Sequence, residues 1–319
     1  MTLQPDSHDE RSRTADHVTT GTVGSPDDRC LAVDIGGTKM AVGVVDGTGR
    51  LTDRASAPTP RSDDGEELFA TLAGLLAPLA PFDRYLVCGV GCGGPMSPGG
   101  LEVSPLNIHA WRGFPLTARL AEHTGLRTRV DNDAKALALA EGWVGAAAGR
   151  RDFLAMVVST GVGGGIVLDG RLLDGAGGNA GHIGHVVVDV PGRELPGHVS
   201  GVLEAEASGT AIAHHTGAHP AEAPGAERAK VGRLVGQAVG SVANLLDLPL
   251  ALVAGSVALG YGDEFFAAAQ AEVDRVCRLD YSIGTRIAPA GCGDEGPLIG
   301  AGAVGFRHLG HRIGAIEPE

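Results

Sequence analysis

Lysine is almost missing from this sequence. Of 25 basic residues only Lys39, Lys135 and Lys230 are lysines, and 38 acidic residues stand against them. The net charge of −13 argues against nonspecific nucleic-acid binding, which needs a basic surface, and against attachment to an anionic membrane. The lysine scarcity itself reads as genome composition more than function. Five cysteines (Cys30, Cys88, Cys92, Cys277, Cys292) form no C-x-x-C pair and no even framework. That speaks against a disulfide scaffold and for free thiols in a cytoplasmic protein. No apolar run approaches the length of a membrane helix, and the N-terminus is polar, unlike a signal peptide. Residues 1–29 mix Ser, Thr, Asp, Arg and His with almost no apolar periodicity, and are expected to be a disordered tail.

What is abundant is glycine. With 51 glycines, 43% hydrophobic residues and 319 residues in all, the chain should form a turn-rich globular protein of two ordinary domains. The richest stretch is Val33 to Leu51. An apolar run leads into Asp34 and a turn of Gly36, Gly37, Thr38 and Lys39, then a second apolar run follows. Two strands joined by a glycine turn fit this pattern. Bare backbone N–H groups in such a turn can cradle an anion, Thr38 adds a hydroxyl, and Asp34 is placed to orient a magnesium-bound water. A lone glycine turn more often merely reverses the chain. Here the grammar recurs at Met156 to Leu173, with Ser159, Thr160, Gly161 and Gly163 at the turn and Asp169-Gly170-Arg171 after the second run. An internal echo suggests two similar lobes, each giving a hairpin to one cleft that grips a nucleoside triphosphate.

Two further constellations stand between and after the hairpins. Val130-Asp131-Asn132-Asp133 opens an alanine-rich helical stretch, Ala134 to Glu141. Asn132 or Asp133 can cap that helix, and a carboxylate at a cleft mouth can also take the proton of an attacking hydroxyl. Gly177 to His185 is a glycine loop carrying His182 and His185, closely followed by Leu203-Glu204-Ala205-Glu206-Ala207-Ser208-Gly209. With only His198 nearby, the histidines fall short of a four-ligand metal set. They are read either as structural groups or as hydrogen-bonding partners of a polyhydroxylated substrate.

Periodicity places helices at Glu66–Leu79, Leu116–Glu122, Ala226–Asp247 and Asp263–Cys277. Strands are expected at Arg84–Val90, Thr128–Val130 and Leu250–Ala254. The first half thus runs β, β, β, α, β, α, β, an α/β lobe.

From about Leu31 to Arg307 the chain resembles the ROK family of bacterial sugar kinases and sugar-responsive repressors, within the actin/hexokinase/Hsp70 ATPase superfamily. The resemblance rests on LAVDIGGTKMAVGVVD, VDNDAKALALAEG, STGVGGGIVLDGRLLDGAGGNAGHIGH, LEAEASG and GPLIGAGAVG. It implies a two-lobed actin-like (ribonuclease H-like) α/β fold with an interdomain cleft. The implied units are residues 30–142, joined by a C-terminal helix at about 297–314, and residues 143–296. It implies ATP and Mg2+ as cofactors and a primary hydroxyl of a glucose-like sugar, the 6-hydroxyl type, as acceptor. Asp133 matches the catalytic base, and Asn107, Asn132, His182, His185 and Glu204 match sugar-binding positions. Asp34, Gly36, Gly37, Thr38, Lys39, Thr160, Gly161 and Gly163 match the phosphate-binding turns, and Gly255 and Ser256 the adenosine-side loop. The stretch Gly296 to Ala301 is expected to close over the base or return to the first domain. A homodimer is expected as well.

Two departures from the family pattern matter. His182 replaces the glutamate of Glu-x-Gly-His, so an imidazole able to accept at one nitrogen and donate at the other replaces a carboxylate. The positions of the zinc-knuckle cysteines hold Leu195, Gly197 and Val202, so no structural zinc is expected. Apolar packing of Leu195, Val199 and Val202 is expected to hold that loop. These changes open an alternative acceptor, an aminosugar or a C7-cyclitol of specialised metabolism. The alternative of another class is a sugar-binding regulator without catalysis. The polar N-terminal residues lack the winged helix-turn-helix such a repressor would carry.

Overall fold

Two five-stranded sheets carry the chain in a computed structural model that describes residues 24–319. The first comprises β1 (Arg29–Ile35), β2 (Lys39–Asp46), β3 (Leu51–Pro58), β4 (Val87–Cys92) and β5 (Thr128–Asn132), in the order β3-β2-β1-β4-β5. The second comprises β6 (Phe153–Val158), β7 (Val162–Leu168), β8 (Arg171–Leu172), β9 (Leu250–Ala254) and β10 (Arg286–Pro289). Its order, read from the other edge, is β8-β7-β6-β9-β10. Third, second, first, fourth, fifth: both sheets are wound the same way, with antiparallel hairpins followed by parallel strands. The echo in the sequence is an echo in topology. β1 and β4 are buried almost throughout because helices cover the sheet on both faces. β3 exposes Thr52, Asp53 and Arg54 at an edge, where charge discourages further pairing.

The helices are α1 (Gly65–Leu76), α2 (Leu116–Thr124), α3 (Asp133–Trp143), α4 (Leu203–Ala207), α5 (Gly209–Thr216), α6 (Gly225–Leu246), α7 (Ser256–Val276) and α8 (Gly296–His308). α3 is the axle between the sheets. Ala134 through Gly142 are all buried, and their smallness lets backbones approach on two sides. A Cβ on Gly165 of β7 would stand 2.7 Å from Ala134 O. On the other side, one on Gly300 of α8 would overlap Ala136 O. α8 also lies against the first sheet, where a Cβ on Gly89 would overlap Ala301 O. The glycine-rich stretch at 296–301 therefore returns to the first sheet, with Pro297 reaching the cleft.

Several boundaries differ from those read in the sequence. The fourth strand begins at Val87, since Phe82–Arg84 form a single 3-10 turn. α7 spans Ser256–Val276, but non-helical backbone at Gly262 (φ 57°, ψ −137°) divides it, so the helix expected from Asp263 follows that break and a short helical stretch from Ser256 precedes it. Of the supposed tail, residues 24–28 form a turn in which Ser25 O accepts from Gly47 N at 3.1 Å, and β1 starts at Arg29. Residues 1–23 lie outside the described residues. Val199, expected to pack in the knuckle-like loop, is 66% exposed, whereas Leu195 and Val202 are buried with Ala205 and Ala211. The loop is held in addition by charge. Arg193 Nε donates to Glu206 Oε2 at 2.7 Å, Arg193 Nη1 to Glu227 at 2.8 Å, and Lys230 Nζ to Glu206 at 3.1 Å.

Candidate active site

A cavity of about 530 Å³ opens between the two sheets, and every residue that the family resemblance assigns to catalysis, to the sugar or to the nucleotide lines it. The hairpin turns face each other across it. β1 and β2 are joined by Gly36-Gly37-Thr38, with Gly36 N donating to Lys39 O at 3.0 Å. β6 and β7 are joined by Ser159-Thr160-Gly161, with Ser159 N donating to Gly161 O at 3.0 Å. The hydroxyls of Thr38 and Thr160 are 3.4 Å apart. Two turns that present bare N–H groups thus meet tip to tip. Glycine is required at Gly37 and Gly161 by close neighbours: a Cβ would stand 2.6 Å from Asn107 Cβ at the first and 2.8 Å from Glu204 Oε2 at the second.

The cleft floor is acidic. Asp133 is the first residue of α3, where Asn132 rather than Asp133 is the cap, its Oδ1 accepting from Ala134 N at 3.0 Å and Lys135 N at 3.4 Å. Asp133 Oδ1 also accepts from Ala134 N, at 2.8 Å. Burial raises the Asp133 carboxyl above its ordinary range, an effect the Ala134 N–H partly offsets. Asp34, at the end of β1, is pushed up to about 7 by burial and by the charge of Asp133, with Lys39 opposing. Two half-buried carboxyls that repel each other, with Lys39 opposing the shift of Asp34 alone, form an incompletely neutralised site. Cys92, fully buried beneath them on β4, has its thiol raised by burial and then by both aspartates, so it stays neutral.

A polar wall adjoins the second glycine turn. Glu204, on α4, accepts from Val162 N at 2.7 Å, and His198 Nδ1 stands 3.4 Å from its other oxygen. His182 and His185 flank the single turn Ile183–His185, their rings 6.2 Å apart. His182 Nδ1 contacts Asn179 O at 2.8 Å. At the end of β9, Gly255 holds φ +102°, where a Cβ would overlap Val158 O, and Ser256 opens α7. Ser159 Oγ and Ser256 Oγ are 3.0 Å apart.

Sequence reasoning missed Ser159, Leu137, Leu259, Asp294 and Pro297, which also line the cavity. Ser159 had a signal, a hydroxyl at the first place of the second turn. Leu137, Leu259 and Pro297 come from α3, α7 and α8, where an apolar residue facing a ligand has the same periodicity as one facing the core, and Asp294 comes from the 3-10 turn Gly293–Glu295.

Paired sheets of identical winding, two glycine turns tip to tip and a cleft with a buried acid define a two-lobed actin-like ATPase fold. The chain belongs to the ROK family, whose model matches residues 30–305. It is 39% identical to the N-acetylmannosamine kinase of Escherichia fergusonii over 208 residues, 65% of this chain and 69% of that protein. Other N-acetylmannosamine kinases match over 62% of their own length. Among solved structures, the ROK hexokinase of Thermus thermophilus is similar with TM-score 0.76 and 30% identity, over 88% of this chain and 99% of that one. A ROK glucokinase of Streptomyces griseus, in complex with glucose and AMPPNP, is similar with TM-score 0.76 and 27% identity, over 87% and 99%.

Proposed function

We propose that this ROK sugar kinase transfers the γ-phosphoryl of ATP to the primary hydroxyl of an N-acylated aminosugar, of which N-acetylmannosamine is the type, with Asp133 as general base. The observation that carries the phosphoryl-transfer reading is the meeting of the Thr38 and Thr160 turns above Asp133. Backbone N–H groups from both lobes would surround the phosphates from opposite sides, where charge is spread over the transferring oxygens. Ser256 and the helix N-terminus behind it face the nucleotide, with Leu137, Leu259 and Pro297 as apolar walls for the base.

Asp133 lies at the sugar end of the cleft, beside Asn132, Asn107, Glu204, His182 and His185. A carboxylate whose proton affinity is raised by burial is a better acceptor for an alcohol proton than one in water. Closure of the lobes would exclude water from the phosphoryl group. A magnesium ion fits the incompletely neutralised pair, with Asp34 holding it through a water. When bound, the ion would supply charge neutralisation at the phosphate oxygens.

The acceptor class is argued from two features. Over a 208-residue stretch, identity to an N-acetylmannosamine kinase reaches 39%. The glutamate of the family pattern is replaced by His182 in the sugar wall. A second reading, glucose itself, has support in the overall similarity to a glucokinase. ADP release against hexoses, N-acylated aminosugars and cyclitols, with Asp133→Ala as control, decides between them. N-acetylmannosamine should give the highest kcat/KM and the control none. Faster turnover of glucose than of any aminosugar removes the substrate assignment, and a control as active as wild type removes Asp133 as base. We propose a homodimeric, cytoplasmic assembly, for which light scattering at the monomer mass would be the contrary result.

A further inference from the structure

The loop from Asp174 to His182 is tied to two different parts of the molecule. On one side Lys135, on α3, donates from Nζ to Asp174 Oδ1 at 2.6 Å and to Gly178 O at 3.3 Å. On the other side Asn179 reaches across the cleft to the backbone of Met96, which belongs to the connection between β4 and β5. Met96 N donates to Asn179 Oδ1 at 3.1 Å, and Asn179 Nδ2 donates to Met96 O at 3.0 Å. Both ends of the amide are matched by one residue of the opposite lobe. That connection also carries Asn107, and Leu106 N donates to Gly94 O at 3.2 Å within it.

The backbone carbonyl of the same residue sets the tautomer of His182. A carbonyl oxygen only accepts, so its 2.8 Å contact with His182 Nδ1 places the proton there. The neutral imidazole then carries its lone pair on Nε2. That atom lies beside Gly94, 3.3 Å from the place a Cβ would occupy, and Asn132 Nδ2 lies 3.2 Å from the same place. Asn132 Oδ1 is engaged by the N–H groups that start α3, so the amide turns its donor end toward Gly94. One acceptor and one donor converge over a residue without a side chain.

We propose that Asn179 is a positioning residue of the sugar site. Its side-chain amide holds the Met96 connection across the cleft, and by anchoring the loop it keeps its own backbone carbonyl against His182 Nδ1, which fixes His182 as an acceptor. The His182–Asn132 pair then takes a sugar hydroxyl that donates to Nε2 and accepts from Nδ2. This rests on the reading of the cleft as a sugar kinase site. Neither the family motif nor the capping pattern points to Asn179, whose role follows from two hydrogen bonds to the opposite lobe and one to His182.

The test uses the full chain and the near-isosteric Asn179→Leu. Calorimetric binding of N-acetylmannosamine without nucleotide should weaken tenfold or more, and KM for the sugar should rise in parallel. KM for ATP should stay within twofold, a split that general loosening of the fold would not give. Nitrogen-15 spectra of the histidines need no sugar. They should show His182 protonated at Nδ1 in the wild type and as a tautomer mixture in the variant. A wild-type His182 protonated at Nε2, or unchanged sugar affinity in Asn179→Leu, overturns the proposal. Should that variant not fold, Asn179→Asp decides. It keeps an acceptor for Met96 N–H but loses the donor, so wild-type sugar affinity there overturns the proposal and intermediate affinity supports it. Sugar binding without ADP release in the wild type would instead count against the kinase reading and leave Asn179's role standing.

Discussion

Asp34 and Asp133 sit where the chemistry and the folding energy pull in opposite directions. Unfolded, Asp34 gives up its proton near 3.8, and folded it keeps it to about 7. Between those values the folded state binds more protons than the unfolded one. Stability from this group is therefore full below about 3.8 and is lost as pH rises through about 7. Asp34→Asn removes that loss. Thermal melts of the nucleotide-free protein should show the variant a few degrees more stable than wild type at pH 8 and flatter in its pH dependence, with phosphoryl transfer impaired. A variant less stable than wild type at pH 8 would contradict this. At Asp133 the isosteric Asn should lower kcat by about 10²–10⁴-fold, the usual span for a general base, with the sugar still bound. A change in sugar KM alone would place Asp133 in binding instead. Both acids were legible because each closes an apolar strand at a glycine turn or helix start. Asn179 lies inside a motif read in full, yet its role was hidden, since its partner Met96 is far away in sequence and contributes only backbone.

At the scale of elements, the two hairpins were legible from glycine alone, and so was the strand at Leu250–Ala254. The short stretch of α7 before its break at Gly262 was not, because the apolar period is readable only from Asp263 onward. The knuckle-like loop shows why absence in a sequence is easier to read than replacement. Missing cysteines are visible, whereas the charges that hold the loop come from three separate stretches around Arg193, Glu206 and residues 227–230. Burial works to raise the Glu206 carboxyl, but bonds from Arg193 and Lys230 outweigh it and hold it below the usual range. Glu206→Gln leaves those cations undercompensated next to α4, which also carries Glu204. We expect a loss of about 3 kcal/mol, the usual cost of breaking a buried pair, read as a lower urea midpoint that added zinc does not restore. The contact of α8 with α3 depends on missing side chains in the same way. Gly300→Ala would force a methyl against Ala136 O and should cost about 1–3 kcal/mol as overpacking does. A neutral substitution there would mean the helices do not approach as described.

For the whole molecule, the shared strand order of the two sheets explains why two hairpins distant in the chain arrive at one cleft. Each first hairpin lies at the centre of its sheet, so facing sheets present their glycine turns to each other. The sequence repeat made this legible, but the distance between the turns and the identity of the apolar walls were not, since both depend on how α3 and α8 pack. Among the described residues no helix is long and apolar enough to cross a membrane. Closure of the lobes on sugar should reduce the radius of gyration in solution scattering, and Asn179→Leu should reduce that response. The most direct measurement is a crystal structure with a non-hydrolysable ATP analogue and N-acetylmannosamine bound together. The γ-phosphate should contact backbone N–H groups of both the Gly37–Thr38 and the Thr160–Gly161 turns, with the sugar's primary hydroxyl within hydrogen-bond reach of Asp133. A γ-phosphate held by one turn alone, or a hydroxyl directed away from Asp133, would contradict the account.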